Sequence, residues 1–98
     1  MTRRRLIFSP QFLRRLDDIR ERIALDNPAA ATRVIERIRT AVRRLAASPA
    51  IGRLGRVEGT RELVIARTAY VVPYRIRADT VEIITVLHSA QRWPDRFP

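Results

Sequence analysis

The sequence predicts an α+β domain of order β-α-α-β-β-β, in which an antiparallel sheet carries an N-terminal helical hairpin packed on one face. Three observations point there. Apolar residues in the first half recur at helical spacing, two Ser-Pro or Asn-Pro pairs mark where the helices begin, and the second half holds three β-like runs separated by short polar breaks. Ninety-eight residues suffice for one core and not for two, so residues 1–98 are expected to form a single domain. A hydrophobic content of 46% is that of a folded chain rather than a disordered one.

Arg4 to Phe8 reads as a short strand. Ser9-Pro10 then supplies a helix N-cap followed by proline at the first helical position, where its missing N–H is not needed. Phe12, Leu16, Ile19 and Ile23 follow at spacings of four, three and four and line one face, while Arg14, Arg15, Asp17, Asp18, Arg20 and Glu21 fall mostly on the other. Asp26-Asn27-Pro28 repeats the punctuation with Asn27 as the cap, so a very short turn folds the second helix back against the first. That helix turns Ala31, Val34, Ile35, Ile38, Val42 and Leu45 inward and Arg33, Glu36, Arg37, Arg39, Arg43 and Arg44 largely outward. Ser48-Pro49 stops it.

From Ile51 to Gly59 the helical period disappears and all three glycines appear, interleaved with Arg53 and Arg56, which reads as a basic loop. The β-like runs are Arg61 to Ala66, Tyr70 to Arg77 and Val81 to His88, joined by tight antiparallel connections at Arg67-Thr68-Ala69 and Ala78-Asp79-Thr80. Val81 to His88 is apolar on both alternating faces over much of its length, as a central strand would be. Pro73 lacks a ladder donor and belongs at an edge or a bulge. The first strand completes the sheet.

All 20 basic residues are arginine, and the net charge of +10 sets up a field that draws nucleic acid, an anionic membrane surface or an acidic protein. A genome biased towards arginine codons explains the arginine usage as readily as bidentate phosphate or carboxylate recognition does, so the excess gives the sign of the partner and not its identity. With no cysteine and one histidine the chain has no material for disulfides, thiolate metal sites or an ordinary zinc site, and neither metal nor cofactor is expected. No apolar run approaches the roughly 18 residues of a membrane span, and the opening Met1 to Phe8 lacks the apolar stretch and cleavage site of a secretory signal. The expected location is the cytoplasm, without membrane association.

Several segments form a recognisable ordered set: Phe8-Ser9-Pro10, Asn27-Pro28-Ala29-Ala30-Ala31, Gly52-Arg53, Gly59-Thr60-Arg61-Glu62-Leu63-Val64, Tyr70-Val71-Val72-Pro73-Tyr74-Arg75, Val86-Leu87-His88 and Trp93-Pro94. From about residue 5 to residue 94 this set resembles the RelE/ParE toxin superfamily. The resemblance implies the β-α-α-β-β-β fold and a toxin neutralised by a cognate acidic antitoxin from the same operon, in a hetero-oligomer. RelE-like members are ribosome-dependent mRNA endonucleases and ParE-like members are associated with DNA gyrase poisoning, so membership alone leaves both mechanisms open. Thr60 to Val64 and Val86 to His88 resemble the ParE side more closely.

Cutting RNA by attack of its own 2′-hydroxyl needs a general base, a general acid and cationic donors on the phosphate. RelE-like enzymes commonly fill these roles with lysine, arginine, glutamate, histidine or a C-terminal tyrosine. Here there is no lysine and no tyrosine after Tyr74, which leaves His88 and one of the carboxylates as acid and base, His88 being the best candidate for proton transfer, with Arg61 and Arg75 on neighbouring strands as a clamp for one phosphate. The structural alternative has His88 simply packed at a strand end, and Arg61 or Arg75 paired with Glu62 or Glu82. Arg61 and Glu62, adjacent on a strand, should project to opposite faces. Arg53 and Arg56 are further candidates for contacting target or phosphate, although no phosphate-loop spacing is present. Trp93, with Pro94 and Phe97, either closes the end of the core or packs against the antitoxin.

Overall fold

The computed structural model describes residues 3–98; Met1 and Thr2, the start of the stretch read against a secretory signal, lie outside the described residues. Strand β1 (Arg5–Phe8) leads into helix α1 (Pro10–Asp26) and helix α2 (Pro28–Arg43). Two short 3-10 turns, Arg44–Ala46 and Pro49–Ile51, follow. Strands β2 (Arg53–Leu54), β3 (Arg61–Val64), β4 (Tyr70–Ile76), β5 (Thr80–Ile83) and β6 (Leu87–His88) complete the order.

Both helices start where their caps place them. The Ser9 hydroxyl accepts from the Phe12 amide at 3.0 Å and also donates to the Ile84 carbonyl, tying the head of α1 to the sheet. Asn27 is the whole of the interhelical turn. Its amide donates to the Ile23 carbonyl at 2.9 Å and closes α1, while its side-chain oxygen accepts from the Ala30 amide at 3.0 Å and opens α2. Phe12, Leu16 and Ile19 of α1 and Ala31, Ile35, Ile38 and Val42 of α2 are buried, as their spacing requires. All but Ala31 join Leu63, Ile65, Val72, Tyr74, Val81, Ile83 and Val86 in one apolar cluster, so the helices and one face of the sheet share a core.

The sheet has six strands in place of the expected four, in the order β1-β5-β4-β3-β2, with β6 also on β4. It is mixed, not antiparallel throughout: β1 runs parallel to β5, pairing Leu6 with Val81 and Phe8 with Ile83. Antiparallel pairing of β3 with β4 and of β4 with β5 leaves β5 running the same way as β3, and β1 joins it in that direction. The basic loop also holds structure, because Arg53–Leu54 pairs antiparallel with Arg61 and Glu62.

Val81 to His88 does not form one strand. It breaks at Ile84–Val86, opposite Pro73 in the middle of β4. Ile84 donates its amide to the Pro73 carbonyl at 3.1 Å, and Pro73 has no N–H to return, so the ladder lapses there and resumes with Val71 opposite Leu87. The proline thus sits in a central strand and neither at an edge nor at a bulge of its own strand. The interruption falls on its neighbour. Below the sheet, on the face away from the helices, Val57, Ile84, Leu87 and Phe97 form a second, smaller cluster against which Trp93 packs.

Candidate functional site

Strand register decides which candidate side chains can meet. Arg61 lies opposite Tyr74, on the helix-covered face, whereas Arg75 lies opposite Glu82, on the other face. The expected clamp of Arg61 and Arg75 on one phosphate is therefore corrected: the two guanidinium groups leave opposite faces of the sheet. Five positions of β4 separate Arg75 from Tyr70, the partner of His88, which amounts to about 17 Å of extended strand. His88 is thus remote from Arg75. From Arg61 it is displaced by four positions of β4 and by two strand spacings, roughly 16 Å in all. The three candidate endonuclease residues do not form one constellation.

Each arginine has an internal partner. Arg61 donates to the carbonyls of Gly52 at 2.7 Å and Ala50 at 3.3 Å, holding the turn before β2. Arg75 pairs with Glu82 at 2.7 Å and donates to the Phe97 and Pro98 carbonyls at 3.0 and 2.9 Å, anchoring the 89–98 segment across the open face of the sheet. The ion pair with Glu82 is the structural alternative read from the sequence.

Arg53 and Arg56 converge on Glu62, whose side chain is only 2% exposed. Glu62 Oε1 accepts from Arg53 Nε at 3.0 Å and Arg56 Nη2 at 3.2 Å, and Oε2 accepts from the Arg56 amide at 2.8 Å and Arg56 Nε at 3.0 Å. Burial pushes this carboxyl up, but the Arg56 and Arg53 hydrogen bonds outweigh it and hold it below the usual carboxylate range. The Arg56 guanidinium also lies 3.6 Å over the Trp93 ring. A chain of contacts therefore runs from Glu62 through Arg56 to Trp93, and the basic loop is fixed at this point.

On the helix-covered side, the Tyr74 hydroxyl accepts from the Gly52 amide at 2.9 Å and donates to the Pro49 carbonyl at 2.6 Å. Burial pushes its pKa up, against the Gly52 hydrogen bond and the Arg61 charge. Gly52 is required by close approach, since a Cβ there would lie 2.5 Å from the Tyr74 hydroxyl and 2.8 Å from the Glu62 carbonyl. His88 is exposed at the end of β6. Its Nδ1 accepts from the Ala90 amide at 3.0 Å, and its ring meets that of Tyr70 edge-on at 5.5 Å. Among the described residues no group of three His, Cys, Asp or Glu side chains is arranged to hold a metal ion. No described helix is long and apolar enough to cross a membrane.

Comparison with known proteins places this architecture. The family model described as the ParE toxin of the type II toxin-antitoxin system parDE matches residues 6–93. The chain belongs to the ParE toxin family. A protein of Sinorhizobium fredii named "Putative toxin Y4kP" is 53% identical over 94 residues, covering 96% of this chain and 97% of that protein. The chromosomal ParDE toxin-antitoxin system from P. aeruginosa has a chain that superposes with a TM-score of 0.78 at 24% identity, over 87% of this chain and 95% of that one. A chain of the RelBE2 toxin-antitoxin complex from Mycobacterium tuberculosis superposes with a TM-score of 0.61 at 27% identity, over 93% and 97%. The RelE/ParE resemblance read from the motifs is thereby established, with the ParE family matched directly.

In this ParE-family chain the residue that sequence reasoning placed least well is Glu62. A hairpin closing over Gly55 and Gly59 puts Arg53 opposite Glu62, and that register was the available signal. Equally unread was a polar stripe on α1, Gln11, Arg15, Asp18 and Arg22, which lines cavities shared with the C-terminal segment.

Proposed function

We propose that this type II toxin acts by binding and inhibiting DNA gyrase rather than by cutting RNA, and that an acidic antitoxin encoded beside it in the same operon keeps it silent in the cytoplasm. The observation that carries the reading is the engagement of the candidate arginines within the fold. RNA cleavage needs a base, an acid and phosphate donors converging on one phosphate within hydrogen-bond reach. Here Arg53 and Arg56 are turned to Glu62, Arg61 to backbone carbonyls and Arg75 to Glu82, and His88 stands apart from Arg61 and Arg75. Arrangements of this kind build a rigid basic surface, which suits steering to an acidic or nucleic-acid-bound partner. Both solved relatives come from toxin-antitoxin systems, and a net charge of +10 complements an acidic antitoxin segment.

The test is direct: purified chain is added to gyrase and relaxed plasmid, and in parallel to a translating extract. Loss of supercoiling or trapped cleaved DNA, with intact messages, is the expected result. Intact supercoiling with messages cut on the ribosome would replace this reading with the RelE-like one.

A further inference from the structure

Two cavities lie side by side between α1 and the chain after β6. One, of about 440 Å³, is lined by Gln11, Arg15, Thr85, Arg92, Trp93 and Arg96, among others, and the other, of about 500 Å³, by Arg15, Asp18, Arg22, Tyr70, His88 and Gln91. Arg15 and Gln91 line both, so the two cavities adjoin and are taken together as one groove. Four arginines and a single aspartate stand on its walls. Among the described residues, Arg15, Arg22, Arg92 and Arg96 enter none of the ion pairs or side-chain hydrogen bonds that occupy Arg53, Arg56, Arg61 and Arg75.

We propose that this groove binds an extended acidic segment of a protein partner, with carboxylates engaging Arg15, Arg22, Arg92 and Arg96. The proposal rests on the reading above that the toxin has an acidic antitoxin, and assigns the place where such a segment lies. The charge balance of the walls calls for a polyanion, and guanidinium forks without internal partners suit carboxylates. The aromatic rings argue against single-stranded nucleic acid, which needs open stacking faces. Trp93 already carries the Arg56 guanidinium, and the Tyr70 ring is met by His88. Two buried polar atoms beside the groove, Thr85 Oγ1 and Trp93 Nε1, have no hydrogen-bond partner. An indole N–H only donates, so its missing partner is an acceptor such as a carboxylate or peptide carbonyl. From Gln11 to Arg22 the groove follows eleven residues of helix, about 16 Å, which matches about five residues of extended chain.

The experiment measures binding of a fluorescent eight-residue peptide of alternating glutamate and alanine to the purified chain, without gyrase, so that its outcome is separable from the gyrase reading. Its glutamine counterpart and an eight-nucleotide oligothymidine serve as comparison probes. Two groove pairs, Arg15→Glu with Arg92→Glu and Arg22→Glu with Arg96→Glu, are set against Arg33→Glu with Arg37→Glu on α2, which line neither cavity. Each is checked for folding by its melting curve, and the second groove pair reads the site if the first does not fold. At least tenfold weaker peptide binding in a groove pair, a change under twofold in the α2 pair, and no binding of the glutamine peptide are expected. Equal loss in all pairs, or no peptide binding, would overturn the site. Tighter oligothymidine binding, weakened by the same groove pairs, would overturn its assignment to peptide.

Discussion

Replacing Glu62 with glutamine keeps the shape of the side chain and removes its charge. In the wild type both carboxylate oxygens face only donors, from Arg53, Arg56 and the Arg56 amide. An amide in that place turns an N–H group against those donors whichever way it is flipped. Hydrogen bonds to a charged group contribute about 1.5–3 kcal/mol each, but Arg53 and Arg56 are 55% and 46% exposed and can swing into water. The net loss should therefore be about 2–3 kcal/mol, well below the sum of the bonds. For a domain of this size that lowers Tm by about 10–20 °C at neutral pH. The folded-state pKa of Glu62 is depressed, so its stabilisation is fully present above the ordinary value of 4.5 and is lost as pH falls through the lower folded value. The gap between wild type and Glu62→Gln should accordingly narrow as pH is taken progressively below 4.5, as circular dichroism melts would read. A Tm within about 3 °C of wild type at neutral pH, or a gap indifferent to pH, would refute the claim that this carboxylate organises the face.

Tyr74→Phe removes the hydroxyl that pairs with Gly52 and Pro49 and should cost about 1–3 kcal/mol in urea unfolding, with faster hydrogen exchange at the Gly52 amide. Unchanged exchange there would contradict the pairing. Ser9→Ala loses the cap of α1 and the tie to Ile84, so its denaturant midpoint should fall by the equivalent of about 1 kcal/mol or more. His88→Ala, at an exposed strand end, should alter stability by no more than about 0.5 kcal/mol and leave toxicity intact. Folded but harmless His88→Ala protein would restore His88 to the centre of the chemistry.

Legibility in the sequence followed the distance over which each feature is decided. The helices were readable because Ser9-Pro10 and Asn27-Pro28 act within three residues, and the buried stripes of Phe12, Leu16, Ile19 and of Ile35, Ile38, Val42 are properties of the helix itself. The parallel pairing of β1 with β5 was not, since Leu6 and Val81 meet across 75 residues and nothing local fixes their direction. Pro73 was recognised as anomalous, but its effect fell on Ile84 in the next strand, and only the register reveals this. For the candidate site, the opposite orientations of Arg61 and Glu62 followed from strand alternation. The separation of Arg61 from Arg75 needed one further fact, that Arg61 faces Tyr74 and not Pro73.

The measurement that bears most directly on a binding toxin is induction of the chain in a bacterial host without its antitoxin, with DNA, RNA and protein synthesis followed by pulse labelling in one culture. An early fall in DNA synthesis, with messages intact, is the predicted result. Translation falling first, with messages broken, would contradict it.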